Sequence, residues 1–177
     1  MHAYSPNNGW LIISIWNRLR INNDCKTRNS CSGNFKAWHE NLRKRQVKAP
    51  KIYFRDSGLL HNLLNIPDYH SLTGNPRLGA SWEGFAMEQV LQALRPSEAY
   101  FWSTYSGAEV DLLFFKGGKR YGIEFKFNEA PKVTKSMHIA INDLSLDYLW
   151  IIYPGNEEYP VTDKIMVRPL TFMNKPG

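Results

Sequence analysis

Apolar and polar residues alternate twice in the middle of the chain, in EVDLLFF from residue 109 and in RYGIEFKF from residue 120, on either side of Gly117-Gly118. A period of two is the mark of a strand, whose side chains point to opposite faces in turn. Two glycines suit a two-residue hairpin turn, because they adopt positive φ without penalty. The pattern predicts a hairpin of strands over 109–115 and 120–127. Residues 81–94 instead repeat their apolar positions at helical period, and the aromatic run AYFWSTY predicts a strand over 99–105. Beyond the hairpin, a helix is expected over 132–144, entered through Pro131. A strongly apolar strand over 148–153 follows, stopped by Pro154-Gly155, and then a last strand over 164–169. Earlier in the chain, residues 52–55 predict a short strand. Asp56 is placed to N-cap a helix over 57–64, its side-chain oxygen accepting from a free amide of the first turn. Residues 65–79, with Pro67, Gly74 and Pro76, read as loop.

The order from residue 81 is α-β-β-β-α-β-β, which predicts an α/β layer structure with a mixed sheet flanked by helices. Residues 1–34 are rich in Asn and Ser and hold no sustained period, so they are expected to form a poorly ordered leader, with one domain over 35–177. A chain of 177 residues is long enough for one such domain with a proper core.

Charge sharpens this division. The net charge is +6. Residues 1–45 hold eight Lys and Arg against Asp24 and Glu40 alone, while 46–177 are formally neutral with 14 of each sign. The basic character describes the leader and says little about nucleic-acid binding by the domain body. Cys25 and Cys31 lack the partner spacing of a zinc site. The apolar run WLIISIW at 10–16 is too short to span a bilayer and lacks the flanks of a signal peptide. The expectation is a cytoplasmic protein with no membrane partner.

The hairpin collects an unusual set of charges. With Gly117-Gly118 as the turn, Asp111 falls opposite Glu124 and Glu109 opposite Lys126. All four then share one face, while Val110, Leu112, Phe114, Tyr121, Ile123, Phe125 and Phe127 take the other, which is expected to be the core face. A solvated sheet face with a Glu109–Lys126 surface ion pair accounts for part of this pattern. It accounts poorly for Asp111 and Glu124, since like charges directly opposite destabilise a sheet. A divalent cation between them reverses the sign. The preceding helix adds a third carboxylate. With Trp82 as origin, the apolar stripe centres near about 70° and Glu83 falls inside it at about 100°, whereas Glu88 falls at about 240°, on the expected wet side. A carboxylate on a buried stripe is costly unless it is paired or ligates a metal; a place in the first helical turn also favours one.

The set Glu83, Asp111 and Glu124-Phe125-Lys126, in the order helix, strand, strand, resembles the PD-(D/E)XK nuclease pattern. The α-β-β-β-α-β order is similar to that restriction-endonuclease-like core. Over residues 38–170, the tracts KAPKIYFRDSGLLHNLL, GASWEGFAMEQVL and GAEVDLLF with GIEFKF resemble the uncharacterised C-terminal domain of prokaryotic AAA-type ATPases. In that family a P-loop ATPase and a winged-helix segment precede the nuclease-like domain. Here no G-x-x-x-x-G-K-[ST] occurs, so the phosphate-cradling loop is absent from this sequence.

The resemblance implies a Mg²⁺- or Mn²⁺-dependent domain hydrolysing DNA phosphodiesters, detached from an AAA-type ATPase module that acts in cis or in trans. Asp111 and Glu124 would hold the ion, Glu83 would complete the site directly or through a water, and Lys126 would orient the nucleophile or stabilise developing charge. Glu109 stands as a partner of Lys126. Lys135 and the run Arg43, Lys44 and Arg45 are positions where phosphate contact and plain solvation both fit. A second class stays open beside the nuclease: a non-catalytic module that keeps the fold to bind nucleic acid or an ATPase partner.

Overall fold

The structure, a computed structural model, describes residues 32–41 and 43–174. The strands are β1 (Ser32–Ala37), β2 (Lys51–Phe54), β3 (Ala99–Ser103), β4 (Glu109–Lys116), β5 (Lys119–Phe125), β6 (Tyr148–Tyr153), β7 (Tyr159–Pro160) and β8 (Ile165–Pro169). The helices are α1 (Ser57–Leu63), α2 (Tyr69–Thr73), α3 (Leu78–Leu94) and α4 (Lys135–Asp143), with a closing 3₁₀ turn over Leu170–Asn174. The strands form one eight-stranded mixed sheet in the order β2-β1-β3-β4-β5-β6-β8-β7. The β4–β5 hairpin has the expected register, with Leu112 opposite Ile123 and Lys116 opposite Lys119. Gly117 and Gly118 turn it with φ of 59° and 74°, values a side chain would resist. From β5 the chain crosses through α4 to the parallel strand β6.

Helices cover both faces of the sheet. Met137, Ala140 and Ile141 of α4 pack with Val110, Leu113, Leu149 and Ile151. Trp82, Ala86, Met87 and Val90 of α3 pack with Leu112, Phe114, Ile123 and Phe125 on the other side. Alternation puts Leu113 on the charge-bearing face of the hairpin, and it is 1% exposed there, as befits a face that is not simply open to water. Gly122, opposite Leu113, leaves room there, since a Cβ on it would stand 2.8 Å from Leu146 Cδ1.

Local rules account for most helix ends. Asp56 Oδ1 accepts from the Leu59 amide at 2.9 Å and caps α1. Asp68 likewise caps α2, accepting from the Ser71 amide at 2.7 Å, so the stretch 65–79 is not all loop. Thr134 caps α4, which therefore starts three residues later than Pro131 suggested. Ser32, Gly33 and Asn34, assigned to the leader from sequence, pair with Phe54, Tyr53 and Ile52 as part of β1. The rest of that leader, with the WLIISIW run, lies outside the described residues. Among the described residues no helix is long and apolar enough to cross a membrane.

Candidate active site

The sheet carries a β-bulge where the acidic residues sit. Trp102 pairs with Val110 and Tyr100 with Leu113, so Asp111 and Leu112 together oppose Phe101 alone. Bulges break strict alternation and re-aim side chains. Asp111 does not complete a further rung with Glu124 in the β4–β5 ladder; its Oδ2 accepts from the buried main-chain amide of Phe125 at 3.1 Å. Glu124 is held on the other side by β6, opposite Ile151, and Lys126 continues the parallel ladder by donating its amide to Ile152 at 2.9 Å.

Two buried carboxylates result, each with a lysine. Lys126 Nζ lies 3.1 Å from Glu124 Oε2. Lys51 Nζ, from the start of β2, lies 2.6 Å from Asp111 Oδ1. Glu124 is 2% exposed, and its Oε1 is buried with no hydrogen-bond partner among the described residues. Burial, and then repulsion from Asp111, push the Glu124 carboxyl up to about 8 against the pull of Lys126. Glu83 of α3 is half-buried and shifted upward for the same two reasons, burial first and Asp111 second, with Lys126 and Lys51 opposing. For Lys51 and Lys126 burial works against the charge. The carboxylates outweigh it, Asp111 chiefly for Lys51 and Glu124 for Lys126, and both amines are held above the ordinary lysine range.

Asp111, Glu124 and Lys126 thus come together, and Glu83 lies within their electrostatic reach. Among the described residues no three His, Cys, Asp or Glu side chains close into a ready metal-binding group; Glu83 stands beside the Asp111–Glu124 pair without joining it. Glu109 is exposed and its amide donates to Ser136 Oγ at 3.0 Å, while the ion pair expected between Glu109 and Lys126 is made by Glu124 instead. Lys135 is exposed in the first turn of α4. Lys44 pairs with Asp143 at 2.7 Å and Arg45 lies 4.3 Å from the Tyr105 ring centre, so part of the basic run is tied to the end of α4 and to the turn after β3.

Glu88 overturns its expected place on the wet side of the helix. It is 5% exposed, Arg55 Nη2 donates to its Oε1 at 2.7 Å, and Tyr53 Oη donates to its Oε2 at 3.2 Å. The phase was read on the premise of one buried face. In fact α3 has the sheet on one side and the β2 arm on another. Sequence reasoning also missed Lys51, which stands 60 residues from Asp111; no local pattern links the two.

Residues 78–173 match the family model described as domain of unknown function (DUF4143), and residues 32–70 match a second, described as domain of unknown function (DUF8612). An uncharacterized protein of Mycobacterium bovis and one of Mycobacterium tuberculosis are each 46% identical to the chain over 132 residues, covering 75% of this chain and 30% of the relative. The chain therefore spans about 30% of the length of these curated relatives. No solved structure matches it. The family match from α3 to the closing 3₁₀ turn takes in more than half of the sequence, and the chain belongs to the DUF4143 family.

Proposed function

We propose that this is a PD-(D/E)XK-like nuclease domain with a restriction-endonuclease-like core, hydrolysing DNA phosphodiesters with Mg²⁺ or Mn²⁺. The order α3-β3-β4-β5-α4-β6 supports the fold reading, with the acidic residues on its helix, second strand and third strand. The observation that carries the chemistry is Glu124 Oε1, a carboxylate oxygen buried without a hydrogen-bond partner among the described residues, beside a second buried carboxylate. A lone buried oxygen of this kind is costly, and a hard cation satisfies it.

The donor set fits Mg²⁺, which takes one or two carboxylates and keeps several waters. Asp111 and Glu124 would hold it, and Glu83 would act through a water. The ion supplies a bound water of lowered pKa and neutralises phosphate charge. Lys126, anchored on Glu124, is positioned to orient the attacking water or to stabilise the charge that gathers on the phosphate oxygens. Water attacks phosphorus and the ester oxygen on the far side departs with a proton. The chain spans about 30% of the length of the curated relatives it matches, and the AAA-type ATPase module that this reading pairs with the domain acts in cis or in trans, in the cytoplasm.

A second reading, a non-catalytic module that binds nucleic acid or an ATPase partner, is favoured by one observation: both buried carboxylates already have a lysine counter-ion. Incubation of supercoiled, linear, branched and single-stranded DNA with the protein and Mg²⁺ or Mn²⁺ separates the two. Cutting that EDTA and Asp111→Asn each abolish supports the nuclease. Intact substrates in every case support the module.

A further inference from the structure

The four oxygens of Asp111 and Glu124 differ in how firmly they are held. Asp111 Oδ2 accepts from a main-chain amide inside the sheet, and Glu124 Oε2 faces Lys126, two residues along the same chain. Glu124 Oε1 has no hydrogen-bond partner among the described residues. Asp111 Oδ1 alone depends on a distant part of the chain, through Lys51. The Lys51 side chain keeps 41% of its surface exposed, whereas Asp111 keeps 12%. Its ammonium can leave for water without unfolding anything; the Phe125 amide cannot.

Lys51 also lies at the margin of the sheet. It opens β2, an edge strand of the sheet, which among the described residues joins the remaining strands through β1. The arm β1–β2–α1 lies within the segment matched by the second family model, whereas Glu83, Asp111, Glu124 and Lys126 lie within the first.

We propose that Lys51 is a displaceable internal counter-cation: it occupies Asp111 Oδ1 in the metal-free protein and must swing aside before a divalent ion can be shared by Asp111 and Glu124. The site is thereby kept at low metal affinity for as long as the Lys51 ammonium stays on Asp111. This rests on the metal-site reading above and adds a control element to it. The chemistry is competition between two cations for one oxygen. An ammonium at 2.6 Å makes a charge-assisted hydrogen bond, and a divalent ion arriving at Asp111 has to replace it.

The test is calorimetric titration of Mn²⁺ into metal-free wild-type protein, Lys51→Met, Lys51→Arg and Lys44→Met. Lys51→Met is expected to bind Mn²⁺ at least about tenfold more tightly than wild type, the loss of a competing charged hydrogen bond. Lys51→Arg, whose guanidinium grips a carboxylate through two donors, is expected to bind several-fold more weakly. Lys44→Met removes a lysine–aspartate pair elsewhere and is expected to match wild type. Wild-type binding with unchanged or weaker affinity in Lys51→Met overturns the counter-cation role and leaves the metal site standing. An equal gain in Lys44→Met overturns it too, since the effect is then general charge. Absence of Mn²⁺ binding in every protein overturns the metal reading itself and this inference with it. Should Lys51→Met not fold, Lys51→Arg decides: unchanged affinity rejects the proposal.

Discussion

Arg55 and Glu88 form a clamp between the end of β2 and the middle of α3, Nη2 to Oε1 at 2.7 Å and Nε to Oε2 at 3.2 Å. The glutamate side chain is 7% exposed and the arginine 32%. Removing one partner of a buried pair strands the other charge. Glu88→Ala is therefore expected to destabilise the fold by about 2–3 kcal/mol, below the fully buried case because Arg55 still reaches water. Glu83→Gln, which relieves repulsion from Asp111, is expected to change stability by less than about 1 kcal/mol. Urea unfolding of the two variants checks the contrast. A larger loss in Glu83→Gln would contradict it.

Glu124 gives stability a pH signature. Its carboxyl titrates near 4.5 when unfolded and near about 8 in the fold, raised by burial and then by Asp111. The folded state holds a proton that the unfolded state releases, so this contribution is complete below about pH 4.5 and is lost as pH rises through about 8. Metal-free wild type is expected to lose stability over that window relative to Glu124→Gln, measured by denaturant titration at a series of pH values in chelator. Parallel curves for the two proteins would show that Glu124 ionises freely.

On the proposed nuclease reading, Lys126 separates catalysis from metal retention. An ammonium is no metal ligand, but it sits 3.1 Å from Glu124. Lys126→Ala is expected to slow DNA hydrolysis by about 10²–10³ while keeping the rise in unfolding temperature that Mn²⁺ produces by mass action. Loss of that rise along with activity would assign Lys126 to holding the site together.

The boundary of the domain is testable by length. Three of the four β1–β2 rungs involve Ser32, Gly33 and Asn34. A chain starting at Phe35 is expected to unfold a few degrees below one starting at Ser32, the effect of roughly 1 kcal/mol in a domain of this size. Equal midpoints would mean that the Lys51 and Arg55 ion pairs, the β1–β3 pairing and the packing of Phe35 and Tyr53 secure the arm without those rungs.

What could be read from the residues was whatever is local. The Gly117-Gly118 turn set the β4–β5 register, Asp56 announced α1, and the apolar run of β6 was bounded correctly. β1 and α2 escaped because polar residues and prolines around them hide short elements that tertiary pairing stabilises. Alternation put Leu113 on the charge-bearing face, where it packs with Met137 and Ala140 of α4, whereas the bulge at Asp111-Leu112 is invisible without β3 beside it. Glu88 and Lys51 were lost for a common reason. Their partners, Arg55 and Asp111, are 33 and 60 residues away, and no periodicity reports on contacts of that span.

The position of β2 at the sheet edge also orders events in time. The β4–β5 hairpin closes through a two-residue turn, an event on the order of microseconds. The ammonium of Lys51 can arrive only after β1 has docked in parallel on β3, which closes a far longer loop. A chain that closes the hairpin before the arm docks is therefore expected to hold Asp111 and Glu124 for an interval with that ammonium still absent. Added salt or a divalent ion should hasten folding through this interval, so the same electrostatics that set the resting state also leave a mark on the route to it.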